Sequence, residues 1–81
     1  MTYEIEFEPA AVNAAARFLK DDPIGLKALL DAIDALAGEP RPVHSSVFGD
    51  YRRLRVGGYR VLYAVEDGAV RILVVHLGRV G

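Results

Sequence analysis

Cysteine and tryptophan are both absent from the 81 residues, so neither disulfides nor thiolate metal sites are available. The two histidines, His44 and His76, stand alone and give no zinc-ligand spacing. No metal and no cofactor is therefore expected. No apolar run approaches the roughly 18 residues of a membrane span, and the opening "MTYEIEFEP" lacks the basic-then-apolar order of a signal peptide. Repeats, linkers and low-complexity stretches are missing as well. These absences predict one soluble domain over residues 1–81, with no membrane partner, in a reducing cytoplasm. Apolar side chains are abundant. At 52% hydrophobic the chain is far from a disordered composition and has apolar surface to spare for a partner.

A net charge of −1 conceals an uneven distribution. Residues 1–40 hold three basic side chains against eight acidic ones, net −5, whereas residues 41–81 hold seven arginines against three acids, net +4. A basic second half points to a polyanionic partner. Four of its arginines, Arg52, Arg53, Arg55 and Arg60, fall within "YRRLRVGGYRVLY", residues 51–63.

In "TYEIEFEP" the apolar Tyr3, Ile5 and Phe7 alternate with Glu4, Glu6 and Glu8, the pattern of a strand with one buried face. Pro9 opens a helix in which Val12, Ala15, Ala16 and Leu19 recur at helical spacing. A second helix begins with Asp22 as N-cap and Pro23 at its first position, and ends at Gly38 as C-cap. It carries Ile24, Leu26, Leu29, Leu30, Ile33 and Leu36 along one stripe. The short interval between the helices makes them an antiparallel hairpin. "EPRPVHSSVFG" reads as loop, because prolines, serines and a glycine break any pattern. Strands are predicted over 51–56, 59–65 and 69–77, joined by tight turns at Gly57-Gly58 and Asp67-Gly68. The order β-α-α-β-β-β predicts an α+β fold, with the helical hairpin packed on one face of a four-stranded, mainly antiparallel sheet.

A two-residue turn at Gly57-Gly58 sets Arg55 opposite Arg60 and Leu54 opposite Val61. Leu54, Val56, Tyr59, Val61, Tyr63 and Val65 then face the helices, while Tyr51, Arg53, Arg55, Arg60, Leu62 and Ala64 face away. Continuing through a tight Asp67-Gly68 turn adds Arg71, Leu73, Val75, Leu77 and then Arg79 to the outer face. Val70, Ile72, Val74 and His76 go to the core, so His76 reads as a structural histidine in preference to an acid or base. Arg52 has core-side parity and snorkels to solvent, and His44 and Arg41 are solvated. Opposed guanidinium groups repel. Two readings offset that repulsion: a phosphate gripped by the arginine forks, or neutralisation by Glu4, Glu6 and Glu8 from the first strand.

"YRRLRVGGYRVLY" followed by "VRILVVHLGRV" resembles the RelE/ParE superfamily of bacterial toxins, in which a strand of the form R-x-G-x-Y-R-x-x-Y recurs. The first strand running into an alanine-containing helix, the second helix followed by "EPRP", and the chain length all agree, so the resemblance covers essentially the whole chain. It implies a RelE-like fold and the toxin of a type II toxin–antitoxin system, held by a cognate protein antitoxin. The overall pattern is closer to the RelE branch. That branch implies an mRNA interferase: a ribosome-dependent endoribonuclease that inhibits translation by cutting mRNA in the ribosomal A site, through metal-independent attack of the 2′-hydroxyl. The resemblance also leaves open a ParE-like inhibitor of DNA gyrase, and a catalytically impaired member that only binds its antitoxin.

Carried over by position, Arg60 in "GYRVLY" matches the family arginine that contacts the scissile phosphate. Arg53 and Arg55 fall where RelE-like toxins place basic residues that hold RNA and stabilise developing charge. Tyr51 is a candidate to stack on an RNA base, and Arg79 lies near the basic residue of the family's final strand. Leu62, Leu73, Val75 and Leu77 make the arginine face partly apolar, which suits burial under an antitoxin segment. Two departures stand out: Arg53 occupies what is often lysine, and "LGRVG" lacks the family's C-terminal tyrosine. Arginine stays protonated at every working pH and is a poor proton acceptor, so the sequence identifies no general base.

Overall fold

The alternating start forms β1 (Glu4–Phe7), and Pro9 occupies the first position of α1 (Pro9–Asp21). A single residue, Asp22, separates α1 from α2 (Pro23–Ala35), and its carboxylate caps α2 by accepting the Gly25 N–H at 3.0 Å. The remaining elements are β2 (Ser45–Phe48), β3 (Tyr51–Val56), β4 (Tyr59–Glu66) and β5 (Arg71–Arg79). They are seen in a computed structural model that describes residues 2–80; Met1 and Gly81 of the expected domain lie outside the described residues. Among these residues no helix is long and apolar enough to cross a membrane.

The strands join in the order β1-β5-β4-β3-β2, with β1 parallel to β5 and every other pairing antiparallel. The fold is α+β as expected, but the sheet has five strands rather than four. The extra one, β2, lies inside the segment read as loop. Gly49, at φ +62°, turns the chain so that Phe48 pairs with Tyr51, and that pairing draws "SSVF" into the sheet. Gly57, at φ +57°, makes the second tight turn, and the β3–β4 register is as predicted, with Arg55 opposite Arg60.

The Asp67-Gly68 turn differs. Asp67–Ala69 form one turn of 3₁₀ helix, and Val70 takes a left-handed conformation at φ 50°. Val65 therefore faces Ile72 instead of Val70. A displacement of two residues preserves parity, so Ile72 and Val74 still enter the core.

On the covered face, Leu26, Leu29, Ile33 and Leu36 pack with Leu54, Val61, Tyr63, Ile72 and Val74. Helix α1 is rotated from the expected stripe: Ala11 and Ala14 are buried, Ala15 and Phe18 pack against the core, Ala16 is exposed, and Val12 and Leu19 are 51% and 53% exposed. Small alanines let this helix lie close to β5, while Phe18 meets the Tyr59 ring edge-on at 5.3 Å. Gly38 is not a left-handed cap. Beyond Ala35 the chain tightens instead, with N–H groups of Leu36, Ala37 and Gly38 bonding carbonyls three residues back. The Tyr63 hydroxyl donates to the Pro40 carbonyl at 2.8 Å and ties the following loop to the sheet.

Leu29 is fully buried whereas Ile24, on the same predicted stripe, is 85% exposed in the first turn of α2. In denaturant unfolding, Leu29→Ala is expected to lower stability by about 2–5 kcal/mol. Ile24→Ala is expected to change it by less than about 0.5 kcal/mol. Similar losses at the two positions would contradict this packing.

Candidate functional site

The outer face of the sheet is shaped by a β-bulge in β5. Tyr63 pairs with Val74 and Leu62 with His76, so Val75 has no partner in β4. The bulge reverses the predicted parity of everything beyond it. Leu77 pairs with Val61 and is buried in the core, so it does not join the outer apolar surface. His76, expected in the core, is exposed opposite Leu62. Arg79, expected on the outer face, sits opposite Tyr59 on the helix side, its guanidinium 5.6 Å from the Tyr59 ring and 3.8 Å from Asp22.

Two cross-strand rows of the outer face carry Arg53, Arg55 and Arg60. One runs Arg53–Leu62–His76 across β3, β4 and β5, and the other runs Arg55–Arg60–Gly78. Beyond Arg53, at the β2 edge, Phe48 and Tyr51 are 48% and 40% exposed, and the Arg53 guanidinium lies over the Phe48 ring at 5.1 Å. Sequence reasoning placed Arg53, Arg55, Arg60 and Tyr51 on this face and missed His76 and Phe48. For Phe48 a signal existed, since Gly49-Asp50 is a tight-turn pair. For His76 there was none, because "LVVHL" tolerates either parity.

Neutralisation of these arginines by β1 is excluded by the strand order. Glu4 pairs with Arg71 and Glu6 with Leu73, at the far side of β5. Arg71 takes up the local acid, reaching Glu66 at 2.6 Å and Glu6 at 3.3 Å. Arg41 binds Asp67 at 2.8 Å, and the Tyr3 hydroxyl donates to the same carboxylate at 2.6 Å. Arg52 is half-buried and donates to the Ser45 hydroxyl at 2.8 Å. Among the described residues no ion pair involves Arg53, Arg55 or Arg60.

The paired groups titrate accordingly. Hydrogen bonds from Arg41 and then Tyr3 hold the Asp67 carboxyl below the usual carboxylate range, and the bond to Asp67 raises the Tyr3 phenol. Arg71 lowers Glu66 in the same way. The Gly25 N–H, followed by the Tyr59 hydroxyl at 3.0 Å, lowers Asp22, and burial, then the bond to Asp22, raises Tyr59. A carboxyl depressed on folding stabilises the native state above its unfolded pKa of about 3.9, and that contribution disappears as pH falls through the folded value. The Tm difference between the wild type and Asp67→Asn is therefore expected to be full at about pH 6 and to close as pH is lowered below about 4. A gap independent of pH would contradict the pairing.

Opposed Arg55 and Arg60 with no acid between them predict a second behaviour. Arg55→Thr is expected to raise Tm by about 1–5 °C at low ionic strength, with the gain shrinking as salt is added. A loss of stability would show that the pair is compensated.

A cleft of about 320 Å³ also lies on the helix side, lined by Ala32, Ala35, Leu36, Pro42 and Leu54 together with the polar Glu39 and His44, and it is separate from the arginine rows.

Comparison with solved structures gives matches over almost the full length. The toxin–antitoxin complex RelBE2 from Mycobacterium tuberculosis aligns at 20% identity and TM-score 0.82, covering 98% of this chain and 99% of the other. The archaeal RelE–RelB complex from Pyrococcus horikoshii aligns at 28% identity and TM-score 0.78, covering 100% and 98%. The YoeB/ParE toxin from Agrobacterium tumefaciens aligns at 15% identity and TM-score 0.80, covering 96% and 98%. Comparison with curated proteins gives no sequence match. Residues 5–80 match the family described as ParE toxin of type II toxin-antitoxin system, parDE, and the chain belongs to that family, within the RelE/ParE group of toxins.

Proposed function

We propose that this toxin acts on RNA, cleaving mRNA on the ribosome through attack of a 2′-hydroxyl on the adjacent phosphate. The observation that carries the reading is the open face itself: Arg53, Arg55 and Arg60 collected without a carboxylate partner among the described residues, and flanked by exposed Phe48 and Tyr51. Guanidinium groups bind phosphoryl oxygens bidentately and keep their charge at every working pH. Aromatic rings beside them give bases a stacking surface.

In this reading Arg60, at the centre of its row, contacts the scissile phosphate and stabilises the charge that grows on its oxygens as the 2′-oxygen attacks. Arg53 and Arg55 hold the neighbouring backbone, and Tyr51 with Phe48 stacks a base. Arg79 has no part in it, because its guanidinium is on the other side of the sheet. The ribosome supplies much of the substrate positioning. The partner that restrains the toxin is a protein antitoxin, supported by the RelE–RelB complexes among the similar structures. A segment of it laid on the outer face covers Leu62, Leu73 and Val75, all half-buried in the free chain.

A second reading is inhibition of DNA gyrase without cleavage, favoured by the ParE description of the matching family. The two separate cleanly. Induced in cells without antitoxin, the wild type is expected to arrest growth and leave new ends in translated mRNA. Arg60→Ala is expected to lose both effects, with an unchanged circular-dichroism spectrum. Undiminished cleavage by the variant would remove Arg60 from the reaction; inhibition of supercoiling by purified toxin with intact mRNA would move the function to gyrase.

A further inference from the structure

Three guanidinium groups can hold and neutralise a phosphate, but none of them can accept the proton that a 2′-hydroxyl must shed. Resting on the RNA-cleaving reading, we propose that His76 is the general base of this face. The β-bulge at Val75 is what puts it there. His76 is aligned with Leu62, and Leu62 is two residues from Arg60 on β4, so His76 and Arg60 are diagonal neighbours at a backbone separation of about 7–8 Å. A phosphate oxygen and an adjacent ribose hydroxyl fit between side chains so placed.

The imidazole also leans the right way. A Cβ at Gly78 would come within 3.0 Å of His76 Nε2 and 3.6 Å of its Cδ2, so the ring extends over the glycine that stands opposite Arg60. Any larger residue at 78 would occupy that space. Across β4 and β3 the charged groups facing His76 are Arg60 and Arg53, with Arg55 beside them. On the other flank is Glu8, whose backbone N–H is bonded to the Val74 carbonyl. Among the described residues His76 makes no side-chain hydrogen bond, while Glu6 and Glu66 are tied to Arg71. An exposed, uncommitted imidazole beside a phosphate clamp is the side chain on this face best suited to proton transfer near neutral pH.

The neutral imidazole nitrogen takes the 2′-hydroxyl proton while the 2′-oxygen forms a bond to phosphorus. The bond from phosphorus to the 5′-oxygen of the next nucleotide breaks, and that oxygen takes a proton from water. The products are a 2′,3′-cyclic phosphate and a free 5′-hydroxyl. The imidazolium returns its proton to the hydroxide left in solvent.

Single-turnover cleavage of mRNA on programmed ribosomes, followed from about pH 5.5 to 8, tests this role. The wild-type rate is expected to rise with pH as the base loses its proton. His76→Gln is expected to cleave about 100-fold more slowly at pH 7 and to lose that rise. It should still bind ribosomes carrying 2′-O-methylated, uncleavable mRNA as tightly as the wild type. Gly78→Ala keeps His76 and all the arginines but crowds the ring, and is expected to slow cleavage about 10-fold or more with Tm unchanged or raised. A His76→Gln variant with the wild-type rate and pH profile overturns the assignment, as does one whose whole deficit is weaker binding. If the wild type does not cleave while Arg60→Ala also changes nothing, the RNA-cleaving reading itself fails, which is a different result from loss of the base alone.

Discussion

One unpartnered residue in β5 governs how the two faces of this sheet are used. A strand presents alternate side chains to opposite sides, so inserting Val75 without a partner exchanges the faces for every residue that follows. Leu77 enters the core, His76 and Gly78 turn outward beside Arg60, and Arg79 is carried to the helix side. There Arg79 meets Tyr59 and Asp22, and Asp22 in turn caps α2. The same irregularity therefore shapes the outer face and completes the contact between the end of β5 and the turn that joins the two helices.

Charge is partitioned by strand order. Because β1 lies parallel beside β5 at one edge, Glu6 reaches Arg71, and both Glu4 and Glu6 are separated from β3 and β4 by the full width of β5. Arg41 and Arg52 are likewise committed, one to Asp67 and one to Ser45. What is left over is a compact group of guanidiniums around the β3–β4 turn. Repulsion within it is tolerated because Leu54, Val56, Tyr59 and Val61 of the same hairpin pack on the covered face, and burial of that apolar area outweighs a like-charge pair exposed to solvent. The uneven charge of the sequence thus survives folding as an uneven surface.

Much of this was legible beforehand where the signal was local. Alternation in "TYEIEFEP", the Asp22-Pro23 helix start and the Gly57-Gly58 turn are short-range features, and each is found as read. Failures came where distant contacts decide. The rotation of α1 follows from how closely alanines approach β5, so Ala11 and Ala14 displace the larger Val12 and Leu19 from the interface. Ser45–Phe48 become a strand only because β3 offers an unpaired edge. Of the proposed site, Arg53, Arg55 and Arg60 followed from one turn, whereas His76 and the loss of Arg79 depended on a bulge with no sequence mark.

The sequence by itself determined the class of fold, the order of its main elements, and the convergence of arginines on one side of a hairpin. The Asp22-Pro23 helix start, the Gly57-Gly58 turn and period-two patterning are local signals that set these with no help from the rest of the chain. Tertiary structure alone decided which acids reach which arginines, how many strands the sheet has, and which side of it His76 occupies. Those outcomes rest on pairing between segments tens of residues apart, where a single unpaired residue such as Val75 reverses a face without altering the composition that encodes it.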